Sequence, residues 1–272
     1  ICVRHGLMLV GPTGGGKSAC LQVLCDALSM LKANNVEGLR YEKVEISRLN
    51  PKSITYGQLY GQFDPNTHEW QDGVLVNMYR NASMDPSENL KWIMFDGPVD
   101  AIWIESMNTV LDDNKKLCLN SGEMVTMSAS MTMMFEPEDV DVASPATVSR
   151  CGMIYMEPAS LGLHTPITTW LEYKLPPALT SGPLVSGLQL LMDTYVASAM
   201  AFLRNNLREL VPTVDNNLAQ SMMRILDCYF KRFFPDDEGE EPSADDVKAM
   251  ENNVEALFFF ALVWSVGGSS NT

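Results

Sequence analysis

Histidine is scarce in this chain of 272 residues: His5, His68 and His164 are its only three, and they lie far apart. Structural zinc sites need clustered His and Cys ligands, so no metal centre of that kind is expected. The six cysteines (Cys2, Cys20, Cys25, Cys118, Cys151, Cys228) form no Cys-x-x-Cys pair and have no His at ligand spacing. Reduced, buried thiols in an intracellular setting are the expectation. Basic residues are also few, 19 Lys and Arg against 34 Asp and Glu, for a formal charge of −15. A nucleic-acid backbone is gripped by a basic face, so nucleic acid is excluded as an expected partner, and a polybasic membrane anchor fails on the same ground. The longest unbroken apolar run, residues 256–264, is far short of the roughly 20 residues that cross a bilayer; no membrane partner is expected. No internal repeat or leader-like start is visible. The chain opens at Ile1 and soon enters an apolar strand, and it stops just after an apolar run. Both ends are expected to be cuts in a longer protein.

What is present is an ordinary globular mixture, 46% hydrophobic and 19% charged, long enough for one large or two modest domains. The acidic excess is uneven. Residues 236–251 hold eight Asp and Glu against Lys248, about half of the net charge, and the stretch 236–246 reads as a solvated loop between helices, an acidic docking site being the alternative. The 18 methionines read as adaptable core filler.

The first 158 residues alternate short apolar strands with helical patterns, the signature of a mostly parallel α/β sheet. Strands are expected near 7–10, 41–46, 92–95, 131–135 and 153–156, and helices over 17–33, 72–81 and 101–118. Residues 120–122 (Asn-Ser-Gly) form a turn able to join two short strands. Beyond Pro158 strand signals fade, and the pattern predicts helices over 165–173, 187–210, 216–230 and 245–266. The expected division is an α/β unit, 1–158, followed by a helical unit, 159–272.

The strongest local signal is Gly11-Pro12-Thr13-Gly14-Gly15-Gly16-Lys17-Ser18, which fits G-x-x-x-x-G-K-[ST] at every fixed position, with a strand before it and a helix after it. Glycines let successive backbone amides curl around a polyphosphate, and the following helix points its positive end at the anion. Lys17 would reach the β- and γ-phosphates, and the Ser18 hydroxyl would bind Mg²⁺. The expected partner element, an apolar strand ending in a carboxylate, is Trp92-Ile93-Met94-Phe95-Asp96. Asp96 would hold the hydrated Mg²⁺.

Two departures separate binding from hydrolysis. Many ATPases of this design place a Glu directly after the strand-end Asp to polarise water; here the residue is Gly97, which cannot accept a proton. Asp100 and Glu105 are the nearest substitute carboxylates. The strand over 131–135 would ordinarily end in a polar residue that touches the γ-phosphate. Here it ends in Phe135 followed by Glu136, which would repel a phosphate unless it pointed away.

These features together resemble an AAA+ ATPase module: a P-loop α/β fold with a parallel five-stranded sheet flanked by helices, followed by a helical lid. Longer stretches narrow the resemblance. The segments Tyr60-Gly61-Gln62-Phe63-Asp64-Pro65-Asn66-Thr67-His68-Glu69-Trp70, Phe95-Asp96-Gly97-Pro98-Val99-Asp100-Ala101-Ile102-Trp103-Ile104-Glu105 and Ala143-Ser144-Pro145-Ala146-Thr147-Val148-Ser149-Arg150-Cys151-Gly152 are similar to dynein heavy chains, closest to axonemal ones, at the second module of the motor ring. The resemblance implies an axonemal, microtubule-motor context and bound Mg-ATP (or ADP) with little or no turnover, Gly97 being consistent with that. It implies neighbouring AAA+ modules of the same heavy chain as partners, with microtubule contact made only by other parts of the parent protein. It also implies that Arg150, just before the last strand, acts as an arginine finger on the preceding module's γ-phosphate. A working ATPase using a displaced carboxylate is the alternative. The lid of such a module is expected to bring an Arg to the nucleotide; Arg204, Arg208 and Arg224 are the candidates.

Overall fold

The three inner apolar runs of the sheet become strands that are covered on both faces. The computed structural model describes residues 6–36, 41–180, 182–235 and 242–271. In chain order the first part runs β1 (Gly6–Val10), α1 (Lys17–Ala33), β2 (Val44–Leu49), α2 (Tyr56–Tyr60), β3 (Gly61–Phe63), β4 (Trp70–Asp72), α3 (Val74–Met84), β5 (Leu90–Phe95), α4 (Ala101–Glu105), α5 (Asn108–Leu111), β6 (Lys116–Cys118), β7 (Met124–Thr126), β8 (Met131–Phe135), α6 (Pro145–Arg150) and β9 (Cys151–Tyr155). Five strands form one sheet in the order β2-β5-β8-β1-β9, and every pairing in it is parallel. All five residues of β1 and of β8 are buried, as expected of strands sandwiched between helical layers.

Strand side chains alternate between faces, and the two faces have separate cores. On one, Met8, Val10, Ile93, Phe95, Met133 and Phe135 pack with Tyr79, Trp103 and Val110. There the Phe95 ring stacks on Phe135 at 4.8 Å and on Trp103 at 5.4 Å between centroids. On the other, Leu7, Leu9, Trp92, Met94 and Met134 pack against Leu21 and Cys25 of α1. Methionine recurs throughout these cores, as its flexibility suits. Lys91 is buried but satisfied, its ammonium donating to the Ser87 carbonyl at 2.8 Å and pairing with Asp85 at 3.4 Å.

Several expected elements shift. The second strand lies at Val44–Leu49 rather than 41–46. The helix expected over 101–118 is two short helices and then β6. β6 pairs with β7 around the 120–122 turn, and pairing across a hairpin overrides the weak helical spacing of that segment. The β3–β4 hairpin has no period-2 signature long enough to announce it. It is held by tertiary bonds: Trp70 Nε1 and Arg80 donate to the Asp72 carboxylate, and Arg80 also reaches Glu123 at 2.6 Å. Of the described cysteines, Cys25 and Cys151 are buried, but Cys20, Cys118 and Cys228 are exposed, contrary to the expectation of buried thiols.

The chain divides into two compact units, Ile1–Pro158 and Ala159–Thr272. After α7 (Pro158–Leu161), the second unit contains α8 (His164–Tyr173), α9 (Pro177–Thr180), α10 (Leu184–Leu191), α11 (Ala197–Asn206), α12 (Asp215–Phe230) and α13 (Ala244–Val266). A small antiparallel pair, β10 (Arg208–Glu209) with β11 (Ser270–Asn271), was not foreseen. Its core joins Trp170, Leu188, Met222, Leu226, Phe230 and Phe258, and Trp170 Nε1 donates to Asp227 at 2.7 Å. A π-helical turn at Met192–Val196 joins α10 to α11. The combined helix, Leu184–Asn206, is long and apolar enough in composition to cross a membrane, which a search for unbroken apolar runs does not detect. Its residues Leu184, Leu188, Met192, Val196, Met200 and Leu203 recur at helical spacing and pack into this unit's core. Of the acidic segment, residues 236–241 lie outside the described residues. Asp245 and Asp246 sit in the first turn of α13, where Ser243 caps the helix and the macrodipole favours negative charge.

The aromatic stack makes one testable demand on this fold. Phe135→Ala removes a buried ring that stacks on Phe95 and should cost about 3–5 kcal/mol of unfolding free energy, measured by urea denaturation. A cost below about 1 kcal/mol would mean the stack does not carry that core.

Candidate functional site

Hydrogen bonding continues past the ends of the parallel strands and brings their next residues into one row. Asp96 donates its amide to the Leu49 carbonyl at 2.9 Å, Glu136 donates to Phe95 at 2.9 Å, Gly11 donates to Pro137 at 3.3 Å, and Met156 donates to Val10 at 2.7 Å. The carboxyl edge of a parallel sheet is where α/β folds bind ligands. A cavity of about 410 Å³ lies there.

Its floor is the glycine-rich loop. Gly16 caps α1 with φ 82°, a left-handed conformation that glycine adopts without steric cost. Gly11, with φ 151°, sits so close to the Met156 carbonyl that a Cβ would lie 2.1 Å from the oxygen. The loop therefore threads past that carbonyl only as glycine. The amides of the first turn of α1 have no intrahelical acceptor and face a site suited to an anion. The cavity is lined by Thr13, Gly14, Gly15, Gly16, Lys17 and Ser18 of the loop, with Asp96, Gly97, Glu136 and Glu138. The structure thus brings Lys17, Ser18 and Asp96 together as the sequence led one to expect. Gly11 and Pro12 shape the loop from beneath, and their carbonyls accept from the Lys17 ammonium, at 3.0 Å for Pro12. In this state Lys17 is folded back on its own loop. The Asp96 carboxylate pairs with Arg48 at 3.4 Å.

Glu136 corrects an expectation. It does not point away: it is 4% exposed, lines the cavity, and accepts a 2.6 Å hydrogen bond from the Ser18 hydroxyl. Its other oxygen, Oε1, is buried with no hydrogen-bond partner among the described residues. The signal was available in the strand period, because residues 134 and 136 share a face and Met134 packs toward α1. Glu138, exposed at the rim, carried no such signal. Hard oxygen donors from Ser18, Asp96 and Glu136 are the set that suits Mg²⁺, and a buried carboxylate oxygen without a partner is costly unless a cation or a donor reaches it. The residues present therefore fit a divalent cation.

The substitute bases fall elsewhere. Asp100 caps α4, accepting from the Ile102 amide at 2.8 Å, and pairs with Lys52. Glu105 is exposed on α4. Neither lines the cavity. A Cβ at Gly97 would lie 2.7 Å from Asn50 Oδ1, an atom that itself accepts from the Lys52 amide at 2.9 Å.

Arg150 ends α6 immediately before β9. Its Nη1 donates to the Ala146 carbonyl at 3.1 Å, its Nε lies 3.5 Å from Asp112, and its side chain keeps 30% of its exposure. Thr147, beside it, donates to Asn108 at 2.8 Å. In the helical unit Arg204 is spent on a local clamp, reaching Asp215 at 2.6 Å and bonding Glu209 and Thr213. Arg208 and Arg224 are exposed.

A parallel five-stranded sheet with a complete phosphate loop at its carboxyl edge, followed by a helical unit, defines an AAA-type nucleotide-binding module. The AAA domain of the dynein-related subfamily matches residues 6–151, more than half of the chain, so the chain belongs to that family; the dynein heavy chain AAA lid domain matches residues 188–272. Among similar proteins, dynein axonemal heavy chain 1 of Homo sapiens is 49% identical over 271 residues, covering 99% of this chain and 6% of its own length. Dynein axonemal heavy chain 3 of Homo sapiens is 45% identical over 274 residues, again covering 99% and 6%. Dynein axonemal heavy chain 12 of Mus musculus is 43% identical, covering 99% and 8%. The chain spans less than a tenth of the length of these relatives.

Asp100 yields a pH test. The Lys52 ammonium, and then the Ile102 amide, hold its carboxyl below the usual carboxylate range. A depressed folded-state pKa stabilises above the unfolded value and is lost as pH falls through the folded one. Asp100→Ala should therefore cost about 1 kcal/mol at neutral pH, and the gap from wild type should close in acid, below the ordinary Asp range. Thermal melts at several pH values check this; a gap unchanged into strong acid would reject the cause assigned.

Proposed function

We propose that this chain is the second AAA+ module of an axonemal dynein motor ring and binds Mg-ATP, or ADP, with little or no hydrolysis. Its nucleotide acts as a structural and regulatory element, since a ligand that binds only the closed, folded module stabilises it by mass action. In this reading residues 1–158 are the nucleotide-binding subdomain and 159–272 its lid. Gly11 through Ser18 and Asp96 hold the nucleotide, and Ser18 and Asp96 hold the metal. The observation that carries the reading is the contrast within one cavity. Every phosphate-binding position is present, while the place of a water-polarising glutamate is Gly97, with the Asn50 side chain against it. When bound, Mg²⁺ would neutralise phosphate charge; the loop amides and Lys17 would orient the polyphosphate.

The alternative, turnover through a displaced carboxylate, is weakened at Asp100 and Glu105, which lie outside the cavity lining. Arg150 is assigned as a finger acting on the preceding module. Its place at the end of α6, its partial exposure and its weak tether to Asp112 support a guanidinium that can be redirected. Neighbouring modules of the same heavy chain are then its partners, and the relatives' axonemal setting becomes its own. Microtubule contact would fall to other parts of the parent motor.

Two measurements test this. The chain incubated with ATP and Mg²⁺ should retain nucleotide and release no phosphate, and Lys17→Ala should lose retention by at least tenfold; steady phosphate release, or undiminished retention by Lys17→Ala, would overturn the reading. Arg150→Ala should leave nucleotide retention by this chain intact, yet slow ATP turnover in the complete motor by about 10³-fold at the preceding site, the scale on which arginine fingers act. A motor unaffected by the substitution rejects the finger.

A further inference from the structure

We propose that Glu136 is a ligand, direct or through one water, of the divalent cation at this nucleotide site, so that the cation is held by two carboxylates, Asp96 and Glu136, together with the Ser18 hydroxyl. The inference deepens the nucleotide reading and rests on it.

Three observations carry it. Glu136 is almost wholly buried yet lines the cavity, and its Oε1 has no partner among the described residues. Its other oxygen is already engaged with Ser18, the side chain whose position in the loop marks it as a metal ligand. Its backbone is laddered to Phe95, which sets Glu136 beside the Asp96 strand end on the same sheet edge.

Among the described residues, the cationic side chains of the cavity region are engaged away from Oε1. Lys17 donates to Gly11 and Pro12, and Arg48 sits on Asp96. A polyphosphate brought against Asp96 and Glu136 alone would meet like charge in a partly desolvated place, where such repulsion is strong. A divalent cation placed among the three oxygen donors removes the repulsion and supplies the missing partner. The same geometry explains how a glutamate can stand where a phosphate-touching polar residue is ordinary: it faces the metal side of the site.

The consequence is a nucleotide site that depends on metal more strictly than a site with one carboxylate. In the 272-residue chain loaded with ADP, Mn²⁺ binding read by electron paramagnetic resonance should weaken about tenfold in Glu136→Gln, the scale of loss when a group supporting a metal is removed. In EDTA the same variant should hold ADP several-fold more tightly than wild type, because a like charge has gone. Glu136→Asp keeps the charge but shortens the reach; it should also weaken Mn²⁺, without the gain in metal-free ADP affinity. The opposite signs separate a metal ligand from a residue that only supports the fold. Mn²⁺ affinity within twofold of wild type in both variants overturns the inference and leaves the nucleotide reading standing. A wild-type chain that takes up neither ADP nor Mn²⁺ overturns both.

Discussion

The site depends on the parallel ladder that runs on beyond the strands. Four backbone hydrogen bonds past the regular pairing tie residues 49 to 96, 95 to 136, 137 to 11 and 10 to 156. They fix the glycine loop, the strand-end Asp96 and the buried Glu136 on one edge without any side chain having to do it. Around that edge the fold supplies a helix N-terminus aimed at an anion and two apolar layers that keep the sheet rigid. The stack of Phe95, Phe135 and Trp103 packs the opposite face of the sheet, its two phenylalanines each one residue before a carboxylate. Packing on one face and electrostatics at the edge are therefore coupled through β5 and β8.

An acidic chain that binds a polyanion is less paradoxical once this edge is seen. In the proposed reading the phosphates would meet backbone amides, Lys17 and a metal rather than the average surface. Much of the net charge lies in residues 236–251, in the other unit. Within the cavity itself, however, carboxylates outnumber ammonium groups: Asp96, Glu136 and Glu138 stand against Lys17. A site so composed suits a divalent cation, which would offset like charge at short range if a polyphosphate bound there.

Loss of the usual glutamate is also more than a single substitution. The space beside Gly97 is taken by Asn50, whose carbonyl oxygen is held by the Lys52 amide. Lys52 in turn pairs with Asp100, the carboxylate that might have served as a replacement. One small cluster thus fills the position of the base and occupies the nearest substitute, so restoring a glutamate would require Asn50 to move.

Much of this protein was legible in its residues alone. The fixed spacing of the glycine loop, the apolar run ending at Asp96 and the 3.6-residue periodicity after Pro158 specify the parallel sheet, the loop and the helical unit, because each is a local pattern with one cheap conformation. Of the two hairpins, β6–β7 was legible only in its 120–122 turn. β3–β4 is a three-residue pair held by contacts between distant residues, such as Arg80 with Asp72, and no local pattern encodes it. Tertiary structure likewise decided the two points that matter most for chemistry. The strand pleat gives Glu136 its face, but only the fold brings that face to the cavity and to the Ser18 hydroxyl. Arg150 rests on Asp112, a residue distant in sequence, as well as on Ala146 of its own helix. Composition and motif determine what can be bound; where each charge points is settled by which strands lie side by side.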